Sequence, residues 1–209
     1  MSGIITQNVL DSSGLIKAVA AGGTWVEIKS LTASADATLS FVNGAADVVL
    51  DSTYPVYCFK FTNMHPATDD VEFMFNGSDD TSSHSYDITK TTNYFYAANF
   101  EGAGTPTVAY EAGRDLAQST GFKELAGLIG NAADECASGY LYLFAPSGTT
   151  FIKQFVSESS ALRYNERLHV VYAGGYFNTT AAITAIQFKM SSGNTDLGTV
   201  KLFGIKDSS

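Results

Sequence analysis

The run Ser138-Gly139-Tyr140-Leu141-Tyr142-Leu143-Phe144 decides the fold class, and the turn formers of residues 145–148 (APSG) end it. A dense aromatic and aliphatic run that ends in this way is typical of a β-strand. Residues 151–156 alternate in part between apolar and polar side chains, and residues 183–190 and 197–205 flank a loop of turn formers. Short runs of this kind, broken by Gly, Pro, Asn, Asp and Ser, indicate an antiparallel all-β protein.

Similar runs occur earlier in the chain and between these segments. Asn43-Gly44 is a strong turn signal after the predicted strand at 39–41. Residues 53–63 place Tyr57, Phe59 and Phe61 on one face of a strand. We expect that strand to pair with residues 70–76 through the loop at 65–68. The further predicted strands are residues 24–31, 39–41, 53–63, 70–76, 94–96, 122–128 and 168–172.

The segment 112–137 is compatible with a helix or a strand. Its leucines and alanines suit a helix, but four glycines interrupt the run, and each costs about 1 kcal/mol relative to Ala in a helix interior. We therefore predict a strand around 122–128 with a loop after Gly130. Gly174-Gly175, which follows a later strand, allows a bend or a bulge.

The number of strands indicates the architecture. About nine to eleven strands in one chain of this length, without a 20–50-residue repeat, favour a β-sandwich of jelly-roll type rather than a propeller or solenoid. A chain of 209 residues suits one such domain, which we place at residues 21–209.

Residues 1–20 have a different pattern, because their apolar side chains follow no convincing period. We predict an extended N-terminal arm that packs on its own domain or on a neighbouring subunit, and we favour the neighbour because an apolar arm must be covered. This start of the chain has no basic stretch followed by an apolar core, so we expect no secretory signal. The candidate assembly residues of the arm are Ile4, Ile5, Val9, Leu10, Leu15 and Ile16.

The net charge limits the classes of partner that we expect, and the two cysteines concern only the redox state. The formal net charge is −9, with 12 Lys and Arg against 21 Asp and Glu. We expect neither nucleic acid nor an anionic membrane as a partner, because both require a basic patch. No apolar run approaches about 18 residues, so we expect no membrane-spanning helix. Cys58 and Cys136 are expected to be reduced thiols, although a disulfide between them stays open.

Catalytic and metal motifs are weak in this sequence. It has no Gly-x-Ser-x-Gly elbow, no Cys-x-x-Cys pair and no His-Glu-x-x-His. His65 and His84 fall in predicted loops, and we expect His169 to be an outward or hydrogen-bonded residue of a strand. Calcium is the less remote alternative, because Asp69-Asp70 with Asp79-Asp80, or Asn194 with Asp196, offer oxygen ligands from loops, but their spacing is not that of a twelve-residue calcium loop. We therefore predict no enzyme, no catalytic residues, no metal and no cofactor.

Aromatic residues offer one further possibility. An aromatic face stacks on the apolar C–H patches of sugars, so exposed rings can form a glycan platform, although rings in strand patterns more often pack in a core. The ligand-binding residues therefore stay unassigned. The candidates are Trp25, Tyr54, Tyr86, Tyr94, Tyr110, Tyr164 and Tyr176.

Several stretches resemble small structural proteins from tailed phages of marine bacteria. The resemblance covers residues 4–17 (IITQNVLDSSGLIK), 54–63 (YPVYCFKFTN), 138–153 (SGYLYLFAPSGTTFIK), 173–194 (AGGYFNTTAAITAIQFKMSSGN) and 198–206 (GTVKLFGIK). It touches most of the chain in patches, and it brings no catalytic residues with it.

The resemblance implies a non-enzymatic virion protein that is made in the bacterial cytoplasm. The first expectation is a head decoration (cement) protein, a homo-oligomer such as a trimer, which binds the major capsid protein or other virion proteins. The alternative is a tail appendage or receptor-binding module that recognises host surface glycans. A carbohydrate-active enzyme is a third and weaker reading.

Overall fold

Twelve β-strands and one short 3₁₀-helix form the part of the chain that the structure, a computed structural model, describes, which is residues 24–207. The 3₁₀-helix is η1, Ala112–Arg114. The strands are β1 Trp25–Thr32, β2 Leu39–Val42, β3 Val56–Pro66, β4 Val71–Ser78, β5 Lys90–Phe100, β6 Thr107–Tyr110, β7 Lys123–Ile129, β8 Ala137–Phe144, β9 Lys153–Arg163, β10 Arg167–Phe177, β11 Ala185–Met190 and β12 Thr195–Ile205.

All pairings of these strands are antiparallel, and the sheet curves until it is nearly barrel-shaped. The prediction of an antiparallel all-β fold is therefore confirmed. The strand number exceeds the expected nine to eleven. The predicted arm, with its candidate residues at 4–16, lies outside the described residues.

The strand order divides the sheet into two halves. The order is β1-β12-β3-β8-β9-β7-β4-β11-β2, and β7 pairs with β9 only at Ile129 opposite Arg163. One half therefore runs from β1 to β9 in this order, and the other half runs from β7 to β2. The inner faces of the halves pack on each other, and the Phe61 and Phe73 rings lie 5.2 Å apart between centroids. The main core fills this space, as the strict inward alternation of aromatic residues in β3 and β4 requires.

Phe188 of β11 is central to this core. Its ring stacks on Phe73 at 5.7 Å and contacts Phe59 at 5.4 Å, and it is fully buried. Aromatic pairs of this kind contribute about 0.5–1.5 kcal/mol each beyond the area that they bury. The contacts join the two halves of the sheet across the core.

The expected pairing of β3 with β4 is wrong. β3 pairs with β12 and β8, whereas β4 pairs with β7 and β11. The two strands carry matching aromatic inner faces, and they bury these faces against each other instead of sharing a hydrogen-bonded edge. The loop between them therefore crosses from one half of the sheet to the other.

Two local predictions have opposite outcomes. The ambiguous segment does contain a strand, β7, with a loop after Ile129. Gly174 and Gly175, however, form no bulge, since β10 keeps a continuous register with both neighbours. A Cβ at Gly175 would lie 2.4 Å from the carbonyl oxygen of Thr91, so this glycine permits a close approach of two backbones.

Strands β10, β5 and β6 extend the sheet beyond β9. The segment between β6 and β7 runs along the edge of β5, where the amides of Lys90 and Thr92 donate to the carbonyls of Ser119 and Leu116, and its Arg114 lies over the Tyr94 ring on the inner face. Tyr94, Val171 and Ala173 form a second, smaller core there. This layer creates an outer face and an inner pocket, which are the two candidate sites.

Candidate functional site

The outer surface of β6, β5, β10 and β9 exposes a patch of large apolar side chains. Successive residues of a strand point to opposite faces, so these side chains share one side of the sheet. Val108 and Tyr110 are the most exposed members, at 81% and 61%. We name this patch the outer apolar face, and it consists of Phe95, Val108, Tyr110, Val156, Leu168 and Tyr172.

An aromatic row runs through the middle of this face. Phe95 lies opposite Tyr172 on one side and Tyr110 on the other in the strand register. The Phe95 and Tyr172 rings are stacked, with centroids 5.2 Å apart and planes inclined by 13°. Glu158 continues the row beyond Tyr172.

Tyr140 ends the row on β8, where its hydroxyl donates to the Glu158 carboxylate. That hydrogen bond, with a smaller contribution from burial, raises the pKa of Tyr140 to about 12. The row therefore combines exposed rings with one carboxylate. Beside it, Ala97, Val108, Leu168 and Val170 help to line a shallow apolar cavity of about 240 Å³.

The seven aromatic residues that the sequence offered as a glycan platform do not form one. Trp25 and Tyr110 lie on β1 and β6, which are separated by most of the sheet, and Tyr94 is fully buried. No two of the seven rings pair with each other in the described structure. Trp25 instead packs edge-on against Tyr142 and Phe203, at 6.1 and 5.8 Å.

The second site lies on the inner side of the same strands, beside the junction of β7 and β9. All three arginines of the chain converge there, although they lie on η1, the end of β9 and the start of β10. We name Arg114, Arg163, Arg167 and His169 the arginine cluster. Arg114, Arg163 and His169 line one cavity with Tyr96, and the Arg167 guanidinium lies over the Tyr96 ring.

Arg114 is compensated by carboxylates. Its Nη1 atom forms a short ion pair with Glu124 and lies 3.8 Å from Glu72. Tyr94 donates its hydroxyl to the other Glu124 oxygen at 2.8 Å. Burial lowers the pKa of Arg114, but the Glu124 charge and hydrogen bond outweigh it, so the pKa is raised. Burial, reinforced by Glu124, raises the pKa of Tyr94.

Lys123 contacts both Arg114 and Tyr94. It is fully buried, donates its Nζ to the Arg114 carbonyl at 2.8 Å and lies 4.8 Å from the centre of the Tyr94 ring. Burial lowers its pKa to about 8, against the attraction of Glu124 and Asp115. Its role is to hold the backbone of η1, which positions Arg114.

Arg163 and Arg167 have no ion-pair partner among residues 24–207. Arg167 stacks its guanidinium over the rings of Phe100 and Tyr96, at 4.9 and 5.8 Å. Burial, and then the charges of Arg167 and Arg114, lower the pKa of Arg163. The Nε atoms of Arg163 and Arg167 are buried without a hydrogen-bond partner in this part of the chain.

His169 faces inward, contrary to expectation. It is 3% exposed, its ring lies 4.6 Å from that of Tyr96, and its Nδ1 atom has no partner among the described residues. Burial, and then the positive charges of Arg163, Arg114 and Arg167, lower the pKa of His169 to about 4. The imidazole is therefore neutral at pH 7.

A cavity of about 240 Å³ adjoins the cluster. Leu128 in its wall has φ of 58°, the left-handed region that is uncommon for such a residue. Its carbonyl accepts a hydrogen bond from the amide of Tyr164. The residues that line the cavity are Tyr96, Glu111, Arg114, Leu128, Arg163 and His169.

Sequence reasoning missed the arginine cluster. One signal was present, since only three of the twelve basic residues are arginines and two of them, Arg163 and Arg167, lie four positions apart. Residues 164–166 separate β9 from β10, so the turn brings these two together. Arg114 has no local relation to them.

The other histidines and the loop carboxylates form structural contacts. His65 hydrogen-bonds through Nδ1 to the Glu135 carbonyl at 2.7 Å, and His84 lies 3.3 Å from the Thr184 hydroxyl. Asp80 accepts hydrogen bonds from the amide and hydroxyl of Ser85, which lower its pKa. Within residues 24–207, no group of three or more His, Cys, Asp or Glu side chains is placed to hold a metal ion.

Cys58 and Cys136 are both free thiols. Burial raises the pKa of Cys58 to about 12 and raises that of Cys136 as well. Cys136 helps to line a cavity of about 900 Å³ between the first half of β12 and the loop before β8. His65 lies in the same wall, and its Nδ1 atom is already engaged.

Comparison with known proteins leaves the family open. No protein-family model, curated protein or solved structure matches this chain. In the described region, no helix has the length and apolar character needed to cross a membrane.

Proposed function

We propose that the protein is a non-enzymatic structural component of a phage virion, and that it decorates and stabilises the assembled head. The observation that carries this proposal is the outer apolar face. The assignment to a phage virion depends on the resemblance to phage structural proteins at residues 138–153, 173–194 and 198–206. The finer architecture that we propose is a jelly-roll β-sandwich at 21–209 preceded by an arm at 1–20, and the two packed halves of the sheet support it.

The composition of the outer apolar face suits a protein partner. Monomeric soluble proteins rarely expose contiguous apolar patches larger than a few hundred Å², and larger patches mark interaction sites. Interface centres are rich in aromatic residues and poor in charge. The stacked Phe95 and Tyr172 rings provide such a centre, and Glu158 is the single carboxylate in their row.

We assign this face to a second copy of the chain. Strand β6 has four residues and, among residues 24–207, pairs only with β5, so within this part of the chain one of its edges is open next to the most exposed residues, Val108 and Tyr110. An open edge beside an apolar patch favours pairing with an identical edge or packing around a closed symmetry axis. The proposed assembly is a homo-oligomer such as a trimer.

The proposed capsid contact lies in the arm. Its candidate residues, Ile4, Ile5, Val9, Leu10, Leu15 and Ile16, would bind the major capsid protein or another virion protein. A layer of bound copies stabilises the assembled shell by mass action, because each copy adds buried interface to the assembled state alone. The protein would therefore be located in the virion.

The test of the oligomer contact uses the double variant Phe95→Ser with Tyr172→Ser. The loss of two aromatic anchors, at about 2 kcal/mol each, should weaken self-association by several hundredfold, on the order of 4 kcal/mol. Light scattering coupled to gel filtration measures the association, and circular dichroism checks the fold. Phe151→Ser is the matched control, because Phe151 is 79% exposed and lies outside the face.

The same variants test binding to purified capsids by co-sedimentation. The double variant should lose occupancy, and deletion of residues 1–20 should leave a folded protein that no longer binds. The proposal is wrong if a folded double variant associates and occupies capsids like the wild type.

One observation favours a glycan-binding tail appendage as the second candidate. Exposed stacked rings beside a carboxylate, as in Phe95, Tyr172 and Glu158, can stack on a sugar and accept a hydrogen bond from its hydroxyl groups. Binding to a glycan array that Tyr172→Ser abolishes, by a protein that remains monomeric, would favour this candidate over the head decoration protein.

A further inference from the structure

The arginine cluster holds more positive charge than its protein partners offset. Arg114 pairs with Glu124 and Glu72, but Arg163 and Arg167 have no ion-pair partner within residues 24–207. This occurs in a chain of net charge −9, where carboxylates are abundant. A partly buried charge without a counter-charge is costly, so such a site favours the binding of an anion.

Two nitrogen atoms beside the adjoining cavity lack hydrogen-bond partners. The Nε atom of Arg163 and the Nδ1 atom of His169 are both buried and unpartnered in the described structure. His169 is only 3% exposed, and both residues line the cavity. Buried polar atoms in native proteins are nearly always hydrogen-bonded, so these atoms indicate a ligand in the cavity. Arg163 Nε can only donate, and His169 Nδ1 donates in the tautomer that carries its proton there, so an acceptor would satisfy both.

The size of the cavity and the charge of its lining limit the class of anion that can bind. The cavity of about 240 Å³ lies below the range of about 300–1,000 Å³ that holds drug-sized ligands, so it suits a small group. Glu124 and Glu72 offset Arg114, so Arg163 is the cation of the wall without an ion-pair partner in residues 24–207, and one guanidinium matches a monoanion. Glu111 would repel the second charge of a sulfate or phosphate.

We propose that this cavity binds a small carboxylate, whose oxygens accept hydrogen bonds from Arg163 and His169. The planar guanidinium matches the two oxygens of a carboxylate. Leu128 and Tyr96 supply apolar surface for the carbon end of the ligand. The site lies on the inner side of the sheet, and it is independent of the proposed contact between copies.

The test is an NMR titration of the ¹⁵N-labelled His169 imidazole in the full-length protein. Separate titrations use sodium acetate, sodium glucuronate and sodium sulfate, with chloride holding the ionic strength constant. We expect saturable shifts with acetate and a rise in the pKa of His169, because a bound anion favours the imidazolium. Saturation by glucuronate as well would identify a sugar acid as a ligand source, whereas saturation by acetate alone would restrict it to small acids.

Substitutions at Arg163 test the assignment. Arg163→Gln should weaken acetate binding about tenfold or more, because it removes a charge-assisted hydrogen bond. Arg163→Lys keeps the charge but loses the planar fork, so it should also bind more weakly than the wild type. Lys201→Gln is the matched control, since it removes an exposed charge that pairs with Glu27.

Three results would overturn the proposal. The first is the absence of any saturable shift at His169, and the second is tighter binding of sulfate than of acetate. The third is unchanged acetate affinity in a folded Arg163→Gln variant. If Arg163→Gln does not fold, the wild-type titrations and Arg163→Lys decide the matter.

Discussion

The buried imidazole of His169 should make the protein sensitive to mild acid. Its pKa is lowered to about 4 in the folded protein, from an ordinary value of 6.5. The folded state therefore binds fewer protons than the unfolded state between these two values, and stability is lost as the pH falls through that window. Above pH 6.5 this loss is absent.

The magnitude follows from the difference between the two pKa values. One pKa unit corresponds to about 1.4 kcal/mol, so the loss approaches about 3 kcal/mol at pH 4. That is a large share of the roughly 5–15 kcal/mol by which domains are stable. The neighbouring charges of Arg163 on β9, Arg167 on β10 and Arg114 on η1 stay positive throughout, so they oppose protonation at every pH in the window.

The comparison of wild type with His169→Asn isolates this effect. Urea unfolding at pH 7, 5.5 and 4.5, at constant ionic strength and without carboxylate or phosphate buffers, gives the free energy of unfolding. The wild type should lose stability relative to the variant as the pH falls. Glu111, which lines the same cavity, is present in both proteins, so its titration cancels to first order.

Parallel pH profiles for the two proteins would refute this reasoning. So would a direct NMR titration in which the imidazole of His169 takes up its proton near pH 6.5. Either result would mean that the imidazole is solvated, or that its positive neighbours are already compensated.

Two further predictions concern the core and the thiols. Phe188→Ala should cost about 3–5 kcal/mol in urea unfolding, because its ring joins the two halves of the sheet. Phe151→Ala should stay within about 0.5 kcal/mol, and equal effects would contradict the placement of the core. Alkylation followed by mass spectrometry should modify Cys136 slowly in the folded protein and Cys58 only after unfolding, since Cys58 is fully buried with a pKa raised to about 12. Rapid native labelling of Cys58 would show that β3 is not covered as described.

Local sequence patterns located the strands except β6, Thr107–Tyr110, which no pattern predicted. In β3, Tyr57, Phe59 and Phe61 occupy alternate positions, and all three are fully buried as the two-residue period predicts. The Asn43-Gly44 signal likewise ends β2, and Gly44 has φ of 79°, which glycine adopts at little cost. These features depend on a few neighbouring residues, so they can be read without the rest of the fold.

The same patterns did not determine which strands are neighbours. Alternation shows that a strand has an apolar face, but it does not say whether that face or an edge meets the next strand. β3 and β4 illustrate this, since their inner faces pack on each other while their edges pair with other strands. Alternation also left open which side of β10 faces inward, so the sequence did not predict the burial of His169.

The sequence by itself thus determined an antiparallel all-β chain of acidic composition and the approximate position of its strands other than β6. Only the tertiary structure brought Arg114, Arg163, Arg167 and His169 together and assembled the outer apolar face from four strands. The physical reason is range: a strand depends on neighbouring side chains, whereas a pocket or a patch depends on strands that lie tens of residues apart in the chain.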